Sequence, residues 1–213
     1  IALIDEWTVF SNKIGINLNQ IIDRIKLRHT HKNIMRPGLG VGGYCLTKDP
    51  KFVEISNKFL FKSNVKFPLT LKAVSINNKM YENSYKFLRT YLNVRRKLNI
   101  LVCGVSYKQD VGDIRFSPSI QLIKKLNRTK HKITIQDPIV YKKNKEITVI
   151  NILPNLKNFD LVIFCVAHKA YKKINFKKLP KKPIYIDLNI VFSEKNKKYL
   201  RDKKYKVKVL GDD

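Results

Sequence analysis

The hydrophobic period of this chain changes once, near residue 98, and that change limits the folds open to it. Upstream, apolar residues recur at helical spacing; downstream, short apolar runs rich in β-formers alternate with helical stretches. The run LNILVCGVSY, starting at Leu98, is apolar almost throughout, as a strand buried on both faces must be. KITIQDP, DLVIFCVAH and PIYIDLNIVF follow, and YKVKVLG is a candidate last strand. Strands separated by helices specify a doubly wound parallel α/β domain over 98–213. Ser117-Pro118 marks the first of its helices, with Ser as N-cap and Pro at the first helical position.

Residues 1–97 read as a helical domain. Ile1, Ile4, Trp7, Phe10 (or Val9) and Ile14 form an amphipathic stripe, and Gly15 and Asn17 predict a break before a second helix over 18–27. Residues 51–62 and 68–92 also read as helices. The second has Pro68 in its first turn and a stripe of Leu69, Ala73, Ile76, Met80, Phe87 and Leu88. Between them, residues 28–50 are irregular and Gly-rich. The chain opens on Ile1 directly in a helical pattern with no visible leader, so it reads as part of a longer protein.

Composition excludes several classes. Forty-four Lys and Arg against sixteen Asp and Glu leave a net charge of +28, which invites a nucleic-acid reading. The lysines are spread along the chain, however, and no RNP motif, zinc-finger spacing or recognition helix accompanies them, so nucleic acid is not an expected partner. The densest basic run, 195–208, reads as a solvated face. No apolar run is long enough to span a bilayer, so no membrane partner is expected. Three cysteines cannot staple a secreted scaffold, which points to a reducing, cytoplasmic setting. His29, His31, His131 and His168 show no metal-ligand spacing with cysteine, and no metal is expected.

Two segments carry possible chemistry. Cys45 follows glycines, with Lys48 and Asp49 just beyond; a nearby cation favours the thiolate, and glycines admit a substrate close to the backbone. On chemistry alone, a tight turn with an incidental cysteine is the plainer reading. Gly38, Gly40 and Gly43 spell G-x-G-x-x-G, but no strand leads into it and Pro37 precedes it, so it is rejected as a dinucleotide site. The second segment is the loop after the first strand. There Lys108 and Arg115 flank a helix start suited to phosphate, with Asp110 and Asp113 to order the loop. Ordinary strand-to-helix turn chemistry also accounts for these residues.

Together, PGLGVGGYCLTKDP, ILVCGVSYKQDVGDIRFSPSIQLIKKL and IALIDEWTVFSNKIGINLNQIIDRI resemble the UDP-glucose/GDP-mannose dehydrogenase family, in particular its bacterial branch acting on UDP-N-acetylmannosamine or related UDP-sugars. The resemblance implies an α/β fold: a helical central dimerisation domain, here 1–97, followed by a Rossmann-like doubly wound parallel sheet, here 98–213. The family's N-terminal NAD-binding Rossmann domain would be missing. It implies oxidation of a UDP-hexose to the uronate by two NAD-dependent hydride transfers, through a thiohemiacetal and a thioester on Cys45. Asp49 would order or deprotonate water, and Lys48 would lie close to the sugar or the NAD cofactor. Gly42 and Gly43 would line the sugar, Lys108 and Arg115 would hold the nucleotide end, and Arg28 would be an arginine lent across a homodimer. Alternatives are a non-catalytic UDP-sugar-binding remnant and a basic nucleic-acid-binding protein. Tyr44 replaces the branch's usual His, and Asn189 falls in a stretch where the family commonly has Arg.

Overall fold

The computed structural model describes residues 1–92, 95–143 and 147–212. Its first half holds helices α1 (Ala2–Ile14), α2 (Leu18–Ile25), α3 (Cys45–Lys48), α4 (Phe52–Phe59) and α5 (Pro68–Arg89). The expected break after α1 is present. Gly15 closes the helix in the left-handed conformation, φ 70°, and the Asn17 side chain caps α2 by accepting from the Gln20 amide at 2.9 Å. The long stripe predicted on α1 divides on folding. Ile4 turns inward with Asp5, Thr8 and Ser11, while Trp7 and Phe10 stay 41% and 62% exposed. The interior of this chain therefore takes a narrower and more polar face of α1 than the apolar pattern suggests.

The second half is a seven-stranded sheet. Its strands are β1 (Asn99–Cys103), β2 (Lys132–Gln136), β3 (Lys142–Lys143), β4 (Thr148–Ile150), β5 (Leu161–Phe164), β6 (Ile184–Asp187) and β7 (Val207–Val209). Their spatial order is β3-β4-β2-β1-β5-β6-β7, parallel throughout except for the β3–β4 pair. Strand order reverses between β1 and β5, and in such sheets ligands bind beyond the carboxyl ends of the strands at that crevice. The β3–β4 ladder was not expected, because its strands are too short to give an apolar run.

Alternation along the strands builds two cores. Ile100, Val102, Leu161, Ile163 and Ile186 face Met80 and Leu88 of α5 and Leu122, Ile123 and Leu126 of α6 (Pro118–Leu126). Leu101, Cys103, Val162, Phe164 and Tyr185 face the other way. They pack on Tyr171 of α7 (Lys169–Lys172), on Phe176 and Phe192, and on Leu200 of α8 (Glu194–Asp202).

Two local expectations need correction. Ser117 precedes α6 as expected, but its side chain makes no cap; Oγ is turned away, 3.5 Å from the Ser106 carbonyl. The basic run 195–208 is not wholly solvated. Lys197 is only 2% exposed and reaches Asp212 at 2.9 Å and Glu194 at 2.5 Å, because an amphipathic α8 must turn one position of every turn inward and here that position is a lysine. A buried ammonium persists only when paired in this way.

The end of β7 fastens the two halves together. The Gly211 carbonyl accepts from the Leu18 amide at 2.8 Å, Asn12 Oδ1 accepts from the Gly211 amide at 3.0 Å, and Asn19 Nδ2 donates to the Leu210 carbonyl at 3.2 Å. An otherwise unpartnered amide at the start of α2 is thus satisfied by a residue almost the whole chain away.

Asp5 yields a test of the helical packing. It is 3% exposed, and among the described residues its Oδ2 has no hydrogen-bond partner. Burial raises its carboxyl pKa from 3.8 to about 7. A raised folded-state pKa means that the folded chain holds the proton more tightly than the unfolded one, so ionisation opposes folding as pH rises from about 4 to about 7. Asp5→Asn is expected to stabilise the chain at pH 8 by on the order of 2 kcal/mol and to give no gain near pH 4. Thermal melts of both proteins across that range check this.

Candidate active site

Residues 37–43 lie against the carboxyl end of the sheet, and their glycines are where backbone meets backbone. A methyl group on Gly38 would stand 3.0 Å from Asn189 Oδ1, just beyond β6. One on Gly42 would stand 2.6 Å from the Phe116 carbonyl, and one on Gly43 would enter the Tyr107 ring, 2.6 Å from Cε2. Gly43 also has a positive φ of 84° and donates its amide to the Arg115 carbonyl at 3.0 Å. The G-x-G-x-x-G string is thus explained by close approach rather than by phosphate binding, in keeping with its rejection as a dinucleotide site.

Asn77 of α5 holds the middle of this segment. Its Oδ1 accepts from the Val41 amide at 2.7 Å and its Nδ2 donates to the Val41 carbonyl at 2.8 Å. One side chain thereby satisfies both polar groups of an irregular residue.

The segment delivers Cys45 to the first position of α3, exposed. Cys103 and Cys165 are buried in the sheet, where burial pushes both thiols up and leaves them inert. Around Cys45, Lys48 Nζ reaches Asp49 Oδ1 at 2.5 Å and stands 4.3 Å from the Tyr44 ring centre. That hydrogen bond holds the Lys48 pKa above its ordinary value. The Arg115 guanidinium lies 5.7 Å from the same ring and is paired with Asp113 at 2.7 Å. Tyr44 therefore offers its π-face to a cation from each half of the chain, which neutral His would do less well.

The loop after β1 is fixed from beneath by two residues that the sequence reading did not single out. Asp137, fully buried at the end of β2, accepts from the Val105 and Ser106 amides and the Ser106 hydroxyl on Oδ2, and from the Ile139 and Val140 amides on Oδ1. His168, also fully buried just beyond β5, places Nε2 3.2 Å from Asp137 Oδ2, while Nδ1 accepts from the Asp110 amide at 2.9 Å. Burial alone would raise the Asp137 pKa, but the His168 bond and the backbone amides outweigh it and hold the carboxyl well below the usual range. Asp187, the corresponding acid at the end of β6, accepts backbone amides, from Asn189, Val191 and Phe192; there burial wins and the pKa rises. The signal in the sequence was a polar residue directly abutting each apolar run: QDP after β2, AH after β5 and ID in β6.

The structure thus brings Gly42, Gly43, Cys45, Lys48, Asp49 and Arg115 into one neighbourhood. Lys108 follows Tyr107 on the same loop with its side chain exposed. Arg28 is exposed at the start of the 3-10 turn His29–His31, and among the described residues its side chain makes no hydrogen bond or ion pair to that group. A cavity of about 460 Å³ opens beside Lys48, lined also by Thr47, Lys51, Asn77, Tyr81 and Gln121. Among the described residues no cluster of His, Cys, Asp or Glu suits a metal ion, and no helix is long and apolar enough to cross a membrane. A dinucleotide does not fit the sheet of this chain. α6 does not begin until Pro118, and the Asp137 carboxylate that would face a ribose is already fully engaged.

Comparison with known proteins agrees with this geometry. Residues 1–79 match the central domain of the UDP-glucose/GDP-mannose dehydrogenase family, and residues 101–194 match that family's UDP binding domain. A UDP-N-acetyl-D-mannosamine dehydrogenase of Methanococcus aeolicus is 30% identical, covering 100% of this chain and 47% of the relative. The structure of the UDP-N-acetyl-mannosamine dehydrogenase of Staphylococcus aureus superposes with a TM-score of 0.70 at 26% identity, covering 91% of this chain and 44% of that one. An NDP-N-acetyl-D-galactosaminuronic acid dehydrogenase of Methanosarcina mazei shares the fold at a TM-score of 0.80 and 21% identity, covering 99% and 47%. The chain spans about half the length of the relatives it matches.

The glycine contacts make a direct prediction. Gly42→Ala forces Cβ into the Phe116 carbonyl and Pro118, and overpacking of this kind costs about 1–3 kcal/mol. Urea denaturation is expected to show that loss; an unchanged midpoint would mean that the loop does not rest on the sheet.

Proposed function

Because the chain belongs to the UDP-glucose/GDP-mannose dehydrogenase family, we propose that it is the central and nucleotide-binding portion of an enzyme that oxidises a UDP-hexose of the N-acetylmannosamine or glucose type to the uronate, for polysaccharide precursor synthesis. One observation carries the proposal. The exposed thiol follows glycines packed against the loop that bears Lys108, so a nucleotide gripped by that loop brings its sugar toward the sulfur.

In this reading Cys45 adds to the C6 carbonyl of the intermediate aldehyde. A C–S bond forms, and the carbonyl oxygen takes up a proton. At the thioester stage Asp49 orders water and takes its proton as the water oxygen bonds to the carbonyl carbon; the C–S bond then breaks and the sulfur leaves as thiolate, giving the carboxylate. Lys48, held by Asp49 and Tyr44, places positive charge beside the oxygen that becomes anionic. Lys108 and Arg115 hold the diphosphate, and Gly42 and Gly43 admit the sugar close to the main chain. NAD would supply the hydride acceptor, held mainly by residues outside this chain with Lys48 at its edge, and this chain alone does not turn over. Free thiols at positions 45, 103 and 165 suit the cytoplasm.

The open stripe on α1 suits a second copy. Trp7, Phe10, Ile14, Ile16 and Ile21 line a surface cleft of about 240 Å³, and the Arg28 assignment goes with that homodimer. Phe10→Glu together with Trp7→Glu is expected to convert a dimer to a monomer in light scattering; an unchanged mass would move the interface elsewhere.

UDP is expected to raise the melting temperature of this chain by ligand linkage, and Lys108→Ala to abolish most of the shift. No shift at millimolar UDP would overturn the nucleotide assignment. Iodoacetamide should alkylate Cys45 about tenfold or more faster than either buried cysteine. UDP-N-acetylmannosamine should slow that reaction where free N-acetylmannosamine does not. Equal rates with and without the nucleotide sugar would separate the thiol from the substrate.

A further inference from the structure

The buried pair Asp137–His168 lies outside the thiol chemistry, yet it governs the shape of the loop on which that chemistry depends. Loop 105–110 is fastened at both ends. At its start, the Val105 and Ser106 amides and the Ser106 hydroxyl all donate to Asp137 Oδ2, at 2.8, 3.2 and 3.0 Å. At its end, the Asp110 amide donates to His168 Nδ1 at 2.9 Å, and the Asp110 carboxylate accepts from the Lys169 amide at 3.0 Å. Asp110 holds a left-handed φ of 56° in this clamp, a conformation a non-glycine residue keeps only when its surroundings impose it.

The hydrogen bonds fix the state of the imidazole. A backbone amide can only donate, so Nδ1 is the acceptor and the ring proton lies on Nε2, facing Asp137 Oδ2 at 3.2 Å and Ser106 Oγ at 3.3 Å. Neither His168 nor Asp137 is exposed, so neither touches a ligand. Between the two anchors lie Tyr107, whose ring abuts Gly43, and Lys108, exposed.

We propose that His168 is a positioning residue for the nucleotide: by accepting the Asp110 amide on Nδ1 while donating to Asp137 from Nε2, it holds loop 105–110 in the arch that presents Lys108 to a diphosphate. The proposal rests on the UDP-binding reading of that loop. Its distinctive content is that the two ring nitrogens do different work. The bond to Asp137 stabilises the fold, and the bond from Asp110 sets the loop.

Three substitutions separate those effects. Asn at this position offers an acceptor near the place of Nδ1 and loses the donor to Asp137. Gln reaches the place of Nε2 and loses the acceptor for Asp110. Leu loses both. UDP affinity is measured by calorimetry alongside melting temperature and the exchange rate of the Asp110 amide. The expected result is that His168→Leu and His168→Gln weaken UDP by about tenfold or more and speed Asp110 exchange, while His168→Asn stays within about threefold of the parent despite a comparable fall in melting temperature. The idea is overturned if UDP affinity follows melting temperature alone, or if all three variants bind as the parent does. If the parent itself ignores UDP, the nucleotide reading fails. The loop-setting role is then decided by the Asp110 amide: retained protection in the Gln variant would sink it as well. Should the Leu variant not fold, the contrast between Asn and Gln still decides.

Discussion

The close passage of residues 37–43 over the carboxyl end of the sheet is the constraint that organises this molecule. Those residues have no regular structure, so their main-chain hydrogen bonds must be met by neighbours reaching in. Glycine lets Gly42 and Gly43 come within touching distance of Phe116 and Tyr107, and Asn77 supplies the hydrogen bonds that a strand or helix would have given Val41. The helical half thereby sets its one exposed thiol beside the loop that follows β1. Without that contact the thiol and the candidate nucleotide loop would belong to two unrelated surfaces.

The same end of the sheet shows how one residue type serves two ends through its partners. Asp137 and Asp187 both lie at the ends of strands and both gather the amides of the following loop. Asp137 also meets two side chains, His168 and the Ser106 hydroxyl, and the His168 bond together with the amides holds it in the charged form, whereas burial prevails at Asp187. A carboxylate held ionised in the interior is a strong organiser of backbone, because each amide it collects gains a charge-assisted bond.

Much of this was legible in the residues. Apolar runs located β1, β5 and β6, because a strand covered on both faces leaves an unbroken signature; β2 and β7 showed as alternating β-formers, and Gly15 with Asn17 marked the break between α1 and α2. The Cys45 segment and the Lys108 loop stood out by composition and by family likeness. What escaped the reading was whatever depends on residues far apart. β3 and β4 are too short to show a period, and the α1 stripe gave no hint of which side the chain itself would cover. Asp137 and His168, 31 residues apart, declare their partnership only once β2 and β5 flank β1. The lysine-rich run ending at 208 looked uniformly wet because nothing local revealed that Asp212 would fold back onto Lys197.

The bond between Gly211 and Asn12 joins residues 199 positions apart. During synthesis the helices that carry the Trp7 face emerge well before the residues that clasp them. A nascent chain must therefore shelter an unclasped α1–α2 pair throughout synthesis of the sheet. Slowing translation over β7 would prolong the interval in which that pair can be captured by the wrong neighbour.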